Sequence, residues 1–124
     1  MASSTRPYLI RAIYEWTLDN GFTPYVLVNA MAAGARVPQQ YVENGKIILN
    51  ISPQAVQGLG LGNEQIMFQA RFSGSPMEVQ VPVPAVLAIY ARETGQGMLF
   101  DESDEEPPPE PAGERRKPDL KVIK

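Results

Sequence analysis

Side chains able to carry out catalysis are few in this sequence. It contains no Cys and no His, which excludes a thiol nucleophile, a Cys-ligated metal centre and an imidazole general base. No two carboxylates are spaced for acid–base work, and Glu43, Glu64 and Glu78 each stand at a predicted turn or strand start, where acids are usually solvated. The glycine-rich stretch 58–62 is not followed by a helix with a Lys, unlike a phosphate-binding loop. We therefore expect a binding protein, not an enzyme, with no metal and no cofactor.

The stretch 64–72 contains a pattern suited to binding. Phe68, Ala70 and Phe72 alternate with polar residues, so a strand places them on one face. The small Ala70 between two aromatic residues leaves a notch. In an ordinary core a bulky neighbour fills such a notch, whereas in a binding protein it is the floor of a groove that holds an extended ligand. The pattern alone favours packing and leaves the groove as the alternative.

Charge argues against nucleic acid as the main partner. Arg71 lies beside the aromatic residues Phe68 and Phe72, and such a combination can stack on nucleic-acid bases. Residues 1–100, however, carry six basic and six acidic residues, so the body lacks the basic excess that phosphate binding requires. A small RNA-binding barrel with residues 115–124 as its basic arm remains the alternative function.

The C-terminal quarter differs in composition from the rest. Residues 101–114 contain seven acids, four prolines and no base, and cannot bury enough apolar surface to fold. We predict a folded domain over 1–100, a disordered acidic linker over 101–114 and a docking peptide over 115–124. Within that peptide the docking residues are Leu120, Lys121, Val122, Ile123 and Lys124.

The chain is expected to open with a helix. Pro7 suits a first helical turn, and Gly21 suits a position just past the last turn. Its apolar residues cover more of the circumference than one core-facing stripe requires. Either the helix is wedged deeply into its own core or its second face packs against a second copy, and we predict the latter, a homodimer. The interface residues are Leu9, Ile13, Tyr14 and Trp16.

The remaining body is predicted to be mostly β. An Asn44-Gly45 turn is expected to join a strand near 37–42 to a strand at 47–51, and 54–63 is expected to be turn-rich. A short helix is predicted over 85–93 and a last strand over 98–100. The fold class is α+β: a small, partly open barrel or sandwich with an N-terminal helix and a second short helix.

Two further patterns bear on location. No run of about 18 apolar residues could cross a membrane. The start of the chain lacks the apolar core of a signal peptide. We therefore expect a cytoplasmic protein with no membrane partner.

Long contiguous stretches of the sequence resemble the stringent starvation protein B (SspB) family. They are Arg6–Asn20, Asn44–Val56, Phe68–Gly74, Val81–Phe100 and Lys117–Lys124. The resemblance implies an Sm-like body that forms homodimers through the first helix. It also implies an adaptor that binds proteins carrying the SsrA degradation tag and delivers them to the ClpXP protease.

The resemblance also implies site residues. The tag would bind in a groove on the β body that includes Phe68, Ala70 and Phe72, with Ile51 and Val56 as weaker candidates. The C-terminal peptide would dock on the N-terminal domain of ClpX.

Overall fold

The computed structural model describes residues 3–100. Within that range the chain forms one α-helix followed by seven β-strands, with 3-10 turns at Gln39–Tyr41 and Val83–Ala85. The helix is α1 (Arg6–Asp19), and the strands are β1 (Pro24–Asn29), β2 (Lys46–Asn50), β3 (Gln57–Leu61), β4 (Gln65–Phe72), β5 (Ser75–Pro82), β6 (Val86–Ala91) and β7 (Gly97–Leu99). The predicted linker and docking peptide lie outside the described residues.

The ends of α1 agree with the signals in the sequence. Thr5 is the N-cap and a proline occupies the first turn. Gly21 adopts a φ of +73°, and its N–H donates to the Leu18 carbonyl at 3.0 Å while the Phe22 N–H donates to the Thr17 carbonyl at 2.9 Å. This pair of bonds satisfies the last carbonyls of the helix and turns the chain sharply into β1.

The strands form two antiparallel sheets that enclose the core. One sheet has the strand order β2-β1-β6-β7 and the other has β3-β4-β5, and the two do not join into one closed sheet. Buried aliphatic residues from both sheets form one cluster, to which α1 contributes Ile10. The predicted fold class, a mainly β open barrel or sandwich with an N-terminal helix, is confirmed.

The predicted Asn44-Gly45 turn is present, and a second two-residue turn lies at Ser73-Gly74. Asn44 and Gly45 have φ values of +54° and +77°, and Ser73 and Gly74 have values of +54° and +84°. Positive φ at both central residues suits the twist of a hairpin. The predicted strand near 37–42 is wrong, however, because that segment holds a 3-10 turn and β2 pairs along its length with β1.

The second short helix predicted over 85–93 is wrong. Residues Val86–Ala91 form β6, which pairs with β1 on one side and β7 on the other. A central strand buried on both faces has a nearly continuous apolar sequence, which periodicity cannot distinguish from a short buried helix. The β-branched Val86 and Ile89 and the aromatic Tyr90 favour the strand.

The segment 54–63 also differs from expectation. Its turn-rich prediction holds only for the first residues, because Gln57–Leu61 form β3 at the edge of the three-stranded sheet. The register between β3 and β4 shifts between Gln57 and Gly60, where Gly58 has a φ of +66°. Among residues 3–100, no helix has both the length and the apolar character needed to cross a membrane.

Candidate functional site

An open groove lies between β4 and the segment that runs from β2 into residues 53–57. It consists of two adjoining depressions of about 300 and 560 Å³. Both are lined by Ala55, Ala70 and Arg71, so these three residues mark the neck where one depression passes into the other. The groove therefore runs across β4 at Ala70.

Ala70 leaves the neck open. It is partly buried, and on β4 it shares a face with Phe68, which is 3% exposed, and with the partly buried Phe72. Across the groove stands Ala55, which is equally small and is exposed to solvent. Two methyl groups face the same passage, so the notch predicted at Ala70 forms part of an open groove.

The two depressions differ in chemistry. The smaller is walled mainly by aliphatic and aromatic side chains, including Ile47, Leu49, Phe68 and Phe72. The larger is lined by three glutamines and two prolines: Gln54, Gln57, Gln69, Pro53 and Pro76. Side-chain amides can both donate and accept hydrogen bonds, so this end suits a polar peptide backbone and the other suits an apolar side chain.

Arg71 is the charged residue that lines both depressions. One guanidinium nitrogen donates to the Gly74 carbonyl at 3.1 Å, which holds the side chain near the β4–β5 turn. The remaining guanidinium N–H groups are fixed donors beside the neck. The groove thus has a positive charge where its two depressions meet.

The β2 wall presents a strand edge. Among the described strands, β2 is terminal in its sheet and pairs with β1, while its first residue, Lys46, is also bridged to Glu43 across the turn. Four consecutive residues, Ile47 through Asn50, line the smaller depression, although alternate residues of a strand point to opposite faces. The groove therefore meets the edge of β2, where unpaired backbone groups can bond to an added extended chain.

Tyr41 also lines the smaller depression. Its ring centroid lies 6.0 Å from that of Phe72, with the rings tilted by 44°. Its hydroxyl lies 2.5 Å from the Ser73 hydroxyl. These contacts join the connection between β1 and β2 to the hairpin between β4 and β5.

The structure brings together most of the groove residues predicted from the sequence. Phe68, Ala70 and Phe72 line the smaller depression, and Val56, 7% exposed, lines the larger. Ile51 is fully buried in the core and lines neither depression. Sequence reasoning missed Ala55, Tyr41 and the β2 edge, since these belong to the groove only through contacts between distant segments.

Comparison with known proteins decides the family. The family model described as Stringent starvation protein B matches residues 4–124. The chain belongs to the stringent starvation protein B family. A curated relative named Stringent starvation protein B homolog, from Haemophilus influenzae, is 50% identical over 100 residues, which are 81% of this chain and 67% of the relative. The family match spans all the stretches that carried the resemblance, including Leu120 through Lys124, which lie outside the described residues.

In this member of the SspB family, the apolar side chains of α1 are partly packed against the core and partly exposed to solvent. Leu9, Ile13, Tyr14 and Trp16 are all partly buried, and the first three pack against the core cluster. Trp16 makes an edge-to-face contact with Phe22 at 6.1 Å between ring centroids. Burial raises the pKa of the Tyr14 hydroxyl. The wide apolar surface of α1 is thus used in part by the protein's own core, and the rest remains accessible.

Proposed function

We propose that this SspB family member is a protease adaptor. It binds proteins that carry the SsrA tag, and further clients, in the groove, and tethers them to ClpX for degradation by ClpXP. The observation that supports this most strongly is the open neck between Ala55 and Ala70, which joins an apolar depression to an amide-rich one. An extended peptide is narrow enough to fit such a passage. It can bury side chains in the apolar depression and form backbone hydrogen bonds in the amide-rich one.

The groove favours capture of a peptide without chemical change to it. The edge of β2 offers backbone donors and acceptors to an extended chain, the mode in which many domains bind peptides as an added strand. Phe68 and Phe72 provide apolar contact on the β4 side. We assign specificity to the apolar depression and orientation to the backbone bonds. The adaptor needs no catalytic residue and no cofactor.

The linker is proposed to let the docking peptide extend far from the folded body. Residues 101–114 combine seven acids with four prolines, a composition that favours an extended chain. At about 3 Å per residue the linker spans on the order of 40 Å. A docking peptide on such a tether converts the encounter between bound client and unfoldase into a nearly intramolecular step, with effective concentrations in the mM range.

The end of the chain is the proposed docking element for the N-terminal domain of ClpX. Leu120, Val122 and Ile123 supply apolar contacts, and the basic residues around them add long-range attraction to an acidic partner surface. The acidic linker next to them keeps the basic peptide and the body apart. Weak docking suits the task, because the adaptor must leave after delivery.

A homodimer through α1 completes the proposal. Two copies place two tails on one assembly, and both tails can engage the same oligomeric unfoldase with gain in avidity. The accessible parts of Leu9, Ile13, Tyr14 and Trp16 are the proposed contact surface. We place this complex in the cytoplasm. The alternative RNA-binding function is not favoured by any feature of the described body.

One experiment measures tag binding and delivery of the tagged protein to ClpXP separately. A full-length variant with Leu120→Ser, Val122→Ser and Ile123→Ser is titrated with a fluorescent SsrA-tag peptide and assayed for stimulation of ClpXP degradation of a tagged substrate. We expect unchanged tag affinity and loss of stimulated degradation. A chain ending at Phe100 should behave in the same way, and Ser103→Ala in the linker is the matched control.

Two outcomes would contradict the proposal. Absence of tag binding by the wild-type protein removes the groove assignment, and normal delivery by the triple variant removes the tether assignment. Titration with RNA under the same conditions tests the alternative, which predicts strong binding that weakens steeply as salt is raised.

A further inference from the structure

We propose that Tyr41 is a positioning residue for the bound peptide, held by Ser73 in a latch beside the apolar end of the groove. The latch is defined as the hydrogen bond between the Tyr41 and Ser73 hydroxyls together with the contact of the Tyr41 ring on Phe72. This inference rests on the proposed function, since it concerns the same groove.

The latch spans the two sheets on either side of the groove. Tyr41 ends the 3-10 turn Gln39–Tyr41, in the connection between β1 and β2 of the four-stranded sheet. Phe72 and Ser73 lie at the β4–β5 hairpin of the three-stranded sheet. The Arg36–Gln80 backbone bridge already joins this connection to β5, and the Tyr41–Ser73 bond adds a side-chain link beside the groove.

The backbone of the connection that carries Tyr41 is anchored on both sides of it, by paired hydrogen bonds between Arg36 and Gln80 and between Glu43 and Lys46, but these bonds leave the Tyr41 side chain free to turn. The Tyr41 N–H donates to the Pro38 carbonyl and the Val42 N–H to the Gln39 carbonyl, both at 3.1 Å, and both bonds stay within the turn. The Tyr41 side chain is 45% exposed, so burial alone does not fix its orientation. The contacts with Phe72 and Ser73 are what hold the ring against the groove.

Ser73 occupies a position that ordinarily favours another residue. Its φ of +54° belongs to the first central position of a two-residue hairpin turn, where Asn, Asp and Gly are preferred. A serine there strains the backbone and contributes little that a glycine would not, except the hydroxyl. That hydroxyl is the group that bonds Tyr41. The residue choice and the contact thus point independently to the same bond.

The consequence for a ligand follows from the lining residues. An apolar side chain in the smaller depression lies among Phe68, Phe72 and Tyr41. The latch holds the Tyr41 ring beside that side chain. A bound chain then runs from the depression that Tyr41 lines through the neck at Ala70 into the larger depression.

A double-mutant cycle tests the latch. Tyr41→Phe keeps the ring and removes its hydroxyl, Ser73→Gly removes the other hydroxyl while tolerating the positive φ, and the double variant combines them. Ser75→Ala, an exposed serine of the same hairpin, is the matched control. The readouts are affinity for a synthetic SsrA-tag peptide, thermal stability, and amide hydrogen exchange of residues 39–42 in the free protein.

We expect each single variant to weaken peptide binding about two- to tenfold, the factor for one net hydrogen bond, and the double variant to weaken it no further. Exchange at residues 39–42 should accelerate in both. Ser73→Gly should keep or raise the melting temperature while binding falls, a split that a purely structural bond does not produce.

Unchanged affinity in both single variants would overturn the inference, as would fully additive effects in the double variant. If the wild-type protein does not bind the tag, the proposed function fails, and the exchange comparison still decides the latch: unaltered exchange at residues 39–42 would refute it.

Discussion

The guanidinium carbon of Arg6 lies 5.0 Å from the centre of the Phe100 ring, which joins the first turn of α1 to the last described residue of the chain. Arg6 is 1% exposed, and one of its nitrogens donates to the carbonyls of Pro84 and Val86, each at 3.0 Å. The Phe100 N–H in turn donates to the Leu87 carbonyl at 2.8 Å. These contacts fix where the proposed linker leaves the body.

Replacing Arg6 should therefore destabilise the fold. Arg6→Lys removes the planar guanidinium that stacks on Phe100 and weakens the paired bonds to the two carbonyls, at a cost of about 2 kcal/mol. For a domain of this size that lowers the melting temperature by about 10 °C. Thermal unfolding checks the value, with Arg36→Lys at an exposed position as the control. Equal small shifts in the two variants would contradict the anchoring role.

Filling the neck of the groove should abolish peptide capture. Ala70→Gln adds a long side chain between the depressions, and Ala55→Gln adds one from the opposite wall. We expect each to weaken tag-peptide affinity more than about tenfold, because the chain can no longer pass, with little change in melting temperature. Ala33→Gln, at an exposed position of the β1–β2 connection, is the matched control. Wild-type affinity in Ala70→Gln would exclude Ala70 from the site.

A charge on the accessible side of α1 should separate the proposed dimer. Ala12 is exposed and lies three residues after Leu9 and four before Trp16, so it adjoins the proposed interface without supporting the core. Ala12→Glu is expected to weaken self-association at least tenfold while the circular dichroism spectrum stays unchanged. Sedimentation equilibrium measures this, with Ala33→Glu as the control. A monomeric wild-type protein, or a variant that dimerises equally well, would contradict the assignment.

The Glu93 carboxylate should make stability depend on pH. It accepts hydrogen bonds from the Thr23 N–H and from the Thr23 hydroxyl, both at 2.8 Å, and these bonds, with the nearby Arg92, hold its pKa below the usual value. A carboxylate with a lowered folded-state pKa stabilises the fold above its unfolded pKa of about 4.3, and this contribution disappears as the pH falls through the folded value.

The expected signature is a difference that depends on pH. Glu93→Gln should lower the melting temperature near neutral pH, and the gap from wild type should close as the solution is acidified below the usual glutamate range. Glu43→Gln, at an exposed turn position, controls for loss of a carboxylate as such. A gap that persists unchanged into acid would mean that the charge of Glu93 plays no part.

Much of the fold could be predicted because its signals are local. Pro7 and Gly21 bound α1 through their own backbone preferences, and the Asn44-Gly45 turn could be predicted because Asn and Gly readily adopt positive φ. Alternation along β4 places Phe68, Ala70 and Phe72 on one face whatever the strand pairs with.

The sequence-based predictions fail where contacts with distant segments outweigh the local residue pattern. Val86–Ala91 form a strand because β1 and β7 flank it, and no residue in that stretch reports those partners. Arg6 is a charged residue near the start of the chain, yet it is buried against Phe100. Such contacts join positions far apart in the chain, so periodicity within a short window cannot reveal them.

The sequence by itself determined the lack of His and Cys chemistry, the N-terminal helix and its ends, and the uneven charge of residues 101–124, since these depend on residue type and short spacing. Only the tertiary structure decided whether the notch at Ala70 is filled or open. That outcome depends on which side chain the second wall places opposite it, and the small Ala55 arrives there only when residues 53–57 pack across from β4.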